Sequence, residues 1–332
     1  MIRIESYHSG MPTKHILAFG YHDQQAQRHW GIKKQLNKQG GTVTECHTDK
    51  NGLIRKYASL TVCYLKNSRK VNTVLVTFPG HYLMPLAWAL TRFPRKKLVF
   101  DVFISLWDTI VDDRKKVSKW NPYSWFLYCV DFVSCHAADE ILIDTKTHRE
   151  FFIKKFRINP KKINVLYLGT REDVFCPSKV KKEKSDTKEV LFFGSYIPLQ
   201  GIEHIIEAAA ILEPIEPDIH FKLIGSGQTH NQMKEMAEKK EVKNISFEKR
   251  VSMTELPEII RKSDLCLGIF GTSKKSNRVI PHKVYDALGC GVPVLTRDSD
   301  AIRELFAHDK MVTLCKAGDA QDIAEKIQTI FN

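Results

Sequence analysis

Short apolar segments of the kind that form β-strands alternate with longer segments of helical hydrophobic spacing along the whole chain. One helical segment, 202–212, has apolar residues at intervals of three and four. Such alternation predicts parallel sheets whose two faces are covered by helices. The predicted strands are His15–Phe19, Thr73–Thr77, Lys97–Asp101, Glu140–Ile143, Ile163–Leu166, Val190–Phe193, His220–Ile224, Ile245–Phe247, Leu265–Ile269 and Pro293–Thr296.

A charged segment without a hydrophobic stripe, residues 179–189, interrupts this alternation, and a new predicted strand begins directly after it. The segment predicts a linker between an N-terminal domain, 1–178, and a C-terminal domain, 190–332. The length of 332 residues suits two domains of roughly 150 residues. We therefore predict an α/β fold with two Rossmann-like domains facing a cleft, which is the expected binding site because ligands bind beyond the carboxyl ends of parallel strands.

The charge and cysteine content limit the partners and the compartment. A net charge of +13 favours anionic partners: nucleic acid, acidic lipid or phosphorylated small molecules. The sequence has none of the motifs of common nucleic-acid-binding folds, so no nucleic-acid partner is expected. The eight cysteines are scattered without a CxxC pair, which predicts reduced thiols, no disulfides and no zinc site.

The sequence contains no segment typical of a secretory signal or a membrane span. The N-terminus has no apolar core of signal-peptide length, and the longest apolar run, Pro122 to Ala138, is interrupted by Asp131. These features predict a cytoplasmic protein. The chain ends at Asn332, so we expect no long C-terminal helix returning to the first domain.

Two glycine-containing turns connect predicted strands to helices in the second half. One contains Gly194 and Ser195, and the other contains Gly225. Glycine allows a ligand close approach to the backbone, and the helix that follows offers free N–H groups to an anion. The second turn lacks the third glycine of a dinucleotide fingerprint, since His230 stands there. Taken alone, each turn is better interpreted as a plain strand-to-helix connection.

A third segment combines glycines, basic residues and a short helix. Gly271 follows a predicted strand, Arg278 ends a basic loop, and Pro281 is suited to the first turn of a helix. Arg278 and Lys283 would flank the positive end of this helix and bind a diphosphate. Asp286, one turn further, would accept hydrogen bonds from ribose hydroxyls; alternatively it is a surface partner of Lys283 or His282.

The stretch from Val190 to Glu304 resembles the donor-binding domain of GT-B glycosyltransferases, the group-1/family-4 retaining enzymes. Four segments carry the resemblance, in the order FFGSYIPLQGIEHIIEAA, FKLIGSGQ, FEKRVSMTELPEIIRKSDLCLGIFG and HKVYDALGCGVPVLTRDSDAIREL. The resemblance implies transfer of a sugar from a nucleoside-diphosphate donor, with retention and without a metal or other cofactor.

The resemblance also assigns roles to individual positions. It places Asp286 at the second Glu of the family's E-x7-E pair, which contacts the ribose, and Val251 where the base is held through the backbone. The first Glu of the pair falls on Arg278. The family's phosphate-binding Arg and Lys fall near Ser195 and on Gln200. Our hypothesis is that Arg278 and Lys283 neutralise the diphosphate in their place.

The first half supplies weaker candidates for the acceptor side. Asp101, Asp108 and His81 follow predicted strands, where they can hold or deprotonate an acceptor hydroxyl. Tyr21, His22 and Arg28 in the first strand-to-helix loop are further candidates. The Asp298-Ser299-Asp300 triplet resembles a metal-binding motif of another glycosyltransferase fold, but its place after a strand favours a turn.

Basic residues beside aromatic ones indicate a surface for anionic lipid. They lie in Arg92–Lys97, in Arg114–Lys119 with Trp120, Trp125 and Phe126 just beyond, and in Lys154–Lys162. We predict peripheral association with the inner face of the membrane and a glycan or lipid-linked acceptor; the alternative is a solvated basic surface. Two other functions stay open: a GT-B-like binding protein with a decayed site, and a sugar-nucleotide epimerase of related fold.

Overall fold

A computed structural model describes residues 15–178 and 185–332 of the chain. Residues 179–184, most of the expected linker, lie outside the described residues. The structure divides into two compact units, one comprising 15–111 and 115–168 and the other 112–114, 169–178 and 185–332. Residues 169–178 were expected in the first domain but group with the second unit, where Arg261 donates a 3.1 Å hydrogen bond to the Cys176 carbonyl.

The first unit is a six-stranded parallel sheet with the strand order β2-β1-β3-β4-β5-β6. Its strands are β1 His15–Gly20, β2 Thr42–His47, β3 Thr73–Val76, β4 Lys97–Asp101, β5 Glu140–Ile143 and β6 Ile163–Val165. Its helices are α1 Gln27–Lys38, α2 Leu53–Asn67, α3 Met84–Leu90, α4 Pro122–Ala137 and α5 Lys146–Phe156. Because β2 and β3 lie on opposite sides of β1, the chain changes direction between β1 and β3, which makes this the switch point of the sheet.

The second unit repeats this architecture with the strand order β12-β11-β10-β7-β8-β9, all parallel. Its strands are β7 Lys188–Ser195, β8 Ile219–Ser226, β9 Ile245–Glu248, β10 Leu265–Leu267, β11 Val294–Arg297 and β12 Val312–Cys315. Its helices are α6 Ile202–Leu212, α7 His230–Lys239, α8 Leu256–Lys262, α9 His282–Gly289, α10 Asp300–Phe306 and α11 Ala320–Phe331. Its switch point lies between β7 and β10.

Buried aliphatic and aromatic side chains on one face of each sheet form a core in each unit, and a smaller buried cluster covers the other face of the first sheet. In α6, the residues at intervals of three and four, such as Ile202, Ile205 and Ala209, are the ones buried on the sheet. The last helix, α11, packs on α6 of the same unit. Among the described residues, no helix combines the length and the apolar character needed to cross a bilayer.

One expectation about the cysteines is wrong. Cys46 of β2 and Cys63 of α2 form a disulfide, with their Cα atoms 5.7 Å apart. The spacing of 17 residues carries no disulfide signature, and the packing of α2 against β2 brings the two sulfur atoms together. The other six cysteines, all within the described residues, have free thiols.

Candidate functional site

The turn after β7 and the end of β8 form one surface at the carboxyl edge of the second sheet. Gly194 and Gly225 are neighbours across the two strands, and both have positive φ angles, +148° and +147°. A Cβ atom at Gly225 would overlap the Gly194 carbonyl oxygen. Ser195, the last residue of β7, is exposed. The predicted turn glycines therefore allow two backbones to approach closely at this edge.

Lys283 of α9 reaches this surface from the other side of the switch point. Its side chain is 6% exposed, and its Nζ donates a 2.7 Å hydrogen bond to Gln200 Oε1 and lies 3.6 Å from the centroid of the Phe192 ring. A Cβ added to Gly194 would lie 3.3 Å from the same Nζ. Within the described residues no carboxylate forms an ion pair with Lys283, and burial lowers the pKa of this lysine well below its usual value. The structure thus places a buried amino group without an anionic partner beside the turn after β7.

Helix α9 has the short length expected from the sequence, but Pro281 is its N-cap residue and not part of its first turn. The helix begins at His282, so its free N–H groups follow Pro281 directly. Asp286 is 4% exposed, and its Oδ1 accepts a 2.7 Å hydrogen bond from Thr170 Oγ1. The alternative that Asp286 is a surface residue is therefore wrong. Thr170 lies 116 positions away, and no sequence pattern pointed to it.

The loop between β10 and α9 is held by a residue that the sequence did not single out. Arg297, at the end of β11, donates 2.6 Å hydrogen bonds to the Gly271 carbonyl and to Ser276 Oγ. A Cβ atom at Gly271 would lie 2.6 Å from the carbonyl oxygens of Pro198 and Leu199. The predicted glycine at 271 thus lets this loop pack directly on the turn that follows β7. The sequence feature that could have singled out Arg297 is a charged residue at the end of the otherwise uncharged strand VLTR.

Two other predicted donor residues, Arg278 and Val251, lie on the same unit. Arg278 is half-buried, and its backbone N–H donates a 2.9 Å hydrogen bond to the Lys275 carbonyl. Val251 is half-buried in the loop after β9. Their assignment to the diphosphate and the base stays a prediction.

The triplet Asp298-Ser299-Asp300 connects β11 to α10, with Asp300 as the first residue of the helix. Ser299 is the N-cap of α10 and accepts a hydrogen bond from the Ile302 N–H, and Asp298 forms a salt bridge with Arg303. Asp300 accepts a 2.7 Å hydrogen bond from the Asn277 side chain. Each member of the triplet thus has a local structural partner.

In the first unit, the predicted catalytic Asp101 ends β4 and is bound by Arg28. Arg28 Nη2 and Nε donate hydrogen bonds of 2.7 and 3.0 Å to Asp101 Oδ1, and both side chains are buried. Arg28 Nη1 also donates to the Leu166 carbonyl at 2.6 Å. This buried ion pair connects β4 to α1, so Asp101 has a structural role whatever its part in catalysis.

The other two predicted acceptor-side residues, His81 and Asp108, are also buried. His81 lies near the carboxyl end of β3, where its Nε2 is 3.0 Å from the Ile104 carbonyl and 3.4 Å from Asp131 Oδ1. Burial lowers the pKa of His81 to about 4 and raises that of Asp131 to about 6, although Ser105 and two backbone N–H groups bind the Asp131 carboxylate. The structure brings His81 to Asp131; a catalytic role for His81 or Asp108 stays a prediction.

The second half of the chain matches a known protein family, and curated proteins are similar to it in sequence. Residues 177–332 match the family described as Glycosyl transferases group 1. The chain is 23% identical over 286 residues to a chitobiosyldiphosphodolichol beta-mannosyltransferase from Kluyveromyces lactis, which covers 78% of this chain and 63% of that protein. The chain spans 44% to 63% of the length of four curated relatives that it matches, three of which are chitobiosyldiphosphodolichol beta-mannosyltransferases.

Solved structures show the same fold at low identity. Sucrose-phosphate synthase from Thermosynechococcus elongatus superposes with a TM-score of 0.70 at 12% identity, over 96% of this chain and 90% of that one. Anabaena HepE in complex with UDP and glucose superposes with a TM-score of 0.65 at 15% identity, again over 96% and 90%. The chain therefore has the fold of the GT-B glycosyltransferases, and its residues 177–332 match the family Glycosyl transferases group 1.

Proposed function

We propose that this protein is a glycosyltransferase that moves a sugar from a nucleoside-diphosphate donor to a glycan or lipid-linked acceptor. The observation that carries the proposal is the Lys283 amino group, which is buried beside Gly194 with a neutral hydrogen-bond acceptor and an aromatic ring for partners. A buried cation without an anionic partner is costly to maintain. A diphosphate at the turn after β7 would supply the missing negative charge.

The chemistry follows from where negative charge develops. Breaking the bond between the sugar and the diphosphate leaves an extra charge on the leaving oxygen, and cations placed there beforehand stabilise the transition state. In our proposal, Lys283, Arg278 and the first N–H groups of α9 perform this function at the donor site without a metal. Asp286 accepts a hydrogen bond from the ribose. Orientation of the two substrates supplies much of the remaining rate enhancement.

The acceptor hydroxyl must lose a proton during transfer. We assign this step to the acceptor-side group Asp101, Asp108 and His81, of which a carboxylate or a neutral imidazole can accept a proton. Neutral His81 is favoured at physiological pH because its pKa is lowered to about 4. Turnover by single Asn or Gln variants separates the three candidates.

Two of the compared proteins support the substrate classes. HepE was solved with UDP and glucose, which fits a nucleoside diphosphate as the leaving group. The name chitobiosyldiphosphodolichol beta-mannosyltransferase describes a lipid-linked glycan acceptor. The retaining course implied by the family-4 resemblance is the finer part of the proposal. The anomeric configuration of the glycoside product, read by proton NMR, tests whether transfer proceeds with retention.

The proposal is tested by incubating the protein with a panel of nucleotide-sugars and measuring release of the nucleoside diphosphate by mass spectrometry. Hydrolysis or transfer from one donor, lost in Lys283→Gln and kept in Lys262→Gln, supports it. Lys262 is a suitable control because its side chain is 72% exposed and pairs with Glu258 on the surface. Thermal stabilisation by UDP or GDP without turnover would favour a decayed binding protein. Conversion of the donor into an epimeric sugar without any acceptor would favour an epimerase.

We also propose that the first unit docks on an anionic membrane through α4 and the segment before it. Trp120, Trp125 and Phe126 are 87%, 60% and 50% exposed, and the exposed Lys115 and Lys119 precede them. Exposed aromatic side chains next to lysines match the interface of an anionic bilayer, which accepts the rings and attracts the charges.

Co-sedimentation with anionic vesicles at low and high salt tests the docking proposal. We expect salt-sensitive binding that falls in Trp120→Ala/Trp125→Ala and is unchanged in Ile54→Ala, which removes a side chain of 86% exposure from α2 of the same unit. Equal binding to anionic and zwitterionic vesicles, or no binding, contradicts it.

A further inference from the structure

Three potential metal ligands lie together in the first unit, at the switch point of its sheet. His22 follows β1 by two residues, His29 lies in the first turn of α1, and Glu45 lies on β2. His22 and His29 are 3% and 4% exposed, and the Glu45 side chain is 25% exposed. The pattern is invisible in the sequence because the ligands come from three different elements.

The donor atoms converge on a small volume. His29 Nε2 lies 2.9 Å from Glu45 Oε1, and His22 Nε2 lies 3.4 Å from Glu45 Oε2. One donor atom from each residue lies within 4.8 Å of the other two. Around a tetrahedral zinc ion with bonds of roughly 2.0–2.2 Å, ligand atoms are about 3.4 Å apart. Shifts of about 1 Å would therefore let all three residues surround one cation.

The surroundings of His22 indicate which ring nitrogen faces the cluster with a lone pair. His22 Nδ1 is 2.6 Å from Thr77 Oγ1, and the Thr77 hydroxyl is placed to donate to the Phe19 carbonyl at 3.4 Å. A hydroxyl that donates to the carbonyl accepts from Nδ1–H, which leaves the lone pair on Nε2. Metal-binding histidines are commonly oriented in this way by a partner on the second nitrogen.

The lone pair then points at a carboxylate. His22 Nε2 and Glu45 Oε2 are both buried, and neither forms a hydrogen bond despite their separation of 3.4 Å. Two acceptors facing one another in a buried site repel, and a cation between them would remove the repulsion. This unsatisfied pair is an observation independent of the clustering of the three residues.

We propose that His22, His29 and Glu45 bind one divalent transition-metal cation. Two imidazoles and one carboxylate form a ligand set suited to Zn²⁺, and one coordination position remains for water or for His47, whose ring contacts that of His22. Lys33 Nζ lies 3.0 Å from Glu45 Oε1, but its side chain is 40% exposed and can turn into solvent when the cation enters. No metal was expected from the sequence, and the three ligands belong to the first unit, whereas Lys283 belongs to the second.

The test is metal binding by the full chain after dialysis against a chelator. Competition with a chromogenic zinc chelator gives the affinity, and Co²⁺ substitution reports the ligands, because thiolate ligation gives an intense charge-transfer band that nitrogen and oxygen ligands lack. We expect one Zn²⁺ per chain, a Co²⁺ spectrum without thiolate character, and affinity at least about 10-fold lower in His22→Gln, His29→Gln and Glu45→Gln.

The control is His136→Gln, which removes an exposed histidine bonded only within its own helix and should leave the affinity unchanged. Thr77→Val keeps all three ligands and removes the hydroxyl that orients His22. We expect this variant to bind Zn²⁺ about 10-fold more weakly. It therefore tests the proposal even if a variant of one of the ligands fails to fold. The proposal would be overturned if the zinc affinity of the wild type were unchanged in Thr77→Val, His29→Gln and Glu45→Gln. A thiolate spectrum with Co²⁺ would also overturn it. In either case the cluster would be a hydrogen-bonded His–Glu network.

Discussion

Lys283 donates a 2.7 Å hydrogen bond to Gln200 across 83 positions of sequence, so the two side chains occupy one place at the carboxyl edge of β7. The family resemblance puts a phosphate-binding lysine at position 200, where this chain has glutamine. The structure brings the amino group of Lys283 to that position from α9. A basic group is thus present at the same place but is supplied by a different element.

The first prediction is a charge exchange between these two positions. Lys283→Gln should weaken binding of a nucleoside diphosphate by about 10- to 100-fold, because a charge-assisted contact is lost. The double variant Gln200→Lys/Lys283→Gln returns one ammonium to the same place and should recover most of the affinity. Isothermal titration with UDP and GDP measures both. Equal weakening in the single and double variants would show that the location of the charge is not what matters.

The second prediction separates the ribose contact from the diphosphate contact. Asp286→Asn should weaken binding of a nucleoside diphosphate about 10-fold and leave binding of inorganic pyrophosphate unchanged, because pyrophosphate has no ribose. Lys283→Gln should weaken both ligands. Thr170→Val is the matched control for the hydrogen bond that orients Asp286 at 2.7 Å, and it should have a smaller effect of the same kind. Loss of pyrophosphate binding in Asp286→Asn would contradict the assignment.

The third prediction concerns pH. Burial lowers the pKa of Lys283 in the free protein, and a bound diphosphate favours the protonated form, so its pKa should rise on binding. Binding of a nucleotide-sugar should therefore take up protons, and its affinity should fall as the pH rises through the lowered pKa of the free protein. Titrations in buffers of different ionisation enthalpy measure the uptake. Lys283→Gln should abolish it, whereas proton release on binding would contradict the sign.

The fourth prediction is a stability effect at the close approach of β7 and β8. Gly225→Ala should lower the free energy of unfolding by about 3 kcal/mol, because the residue has a φ of +147° and its new Cβ would overlap the Gly194 carbonyl. Gly31→Ala is the control: a Cβ there meets nothing within 4 Å in helix α1, and the change should stabilise the protein by up to about 1 kcal/mol. Urea unfolding measures both variants.

The fifth prediction tests Asp101 as a structural residue. Asp101→Asn leaves the buried Arg28 without its carboxylate and should lower the free energy of unfolding by about 3 kcal/mol. The double variant Arg28→Met/Asp101→Leu should be more stable than Asp101→Asn, because neither charge remains buried. Full stability of Asp101→Asn together with lost turnover would instead assign Asp101 to catalysis alone.

Sequence periodicity predicted the interior strands well and missed one edge strand in each sheet. The predicted strands Lys97–Asp101 and Glu140–Ile143 have the bounds found in the structure. The missed strands, Thr42–His47 and Val312–Cys315, lie at sheet edges, where only some of the residues are buried. Edge strands expose part of their length to solvent, so their apolar pattern is diluted by polar residues.

The candidate site was predictable as a set of positions but not as a set of contacts. Glycines after strands and the family-like motifs indicated Gly194, Gly225 and Lys283 before the fold was known. The partners of the charged residues were not predictable, because they depend on which elements the sheet order makes adjacent. Thr170 bonds to Asp286 from 116 positions away, and the cluster of His22, His29 and Glu45 forms only when β1, α1 and β2 pack together.

The two hydrogen bonds from Arg297 to the loop after β10 have a consequence for recognition. They fix the backbone leading to Arg278 before any ligand arrives, so little chain entropy remains to be lost there on binding. A loop prepared in this way should accept its ligand by simple docking, at a rate set by diffusion and charge attraction, with no slow rearrangement to follow.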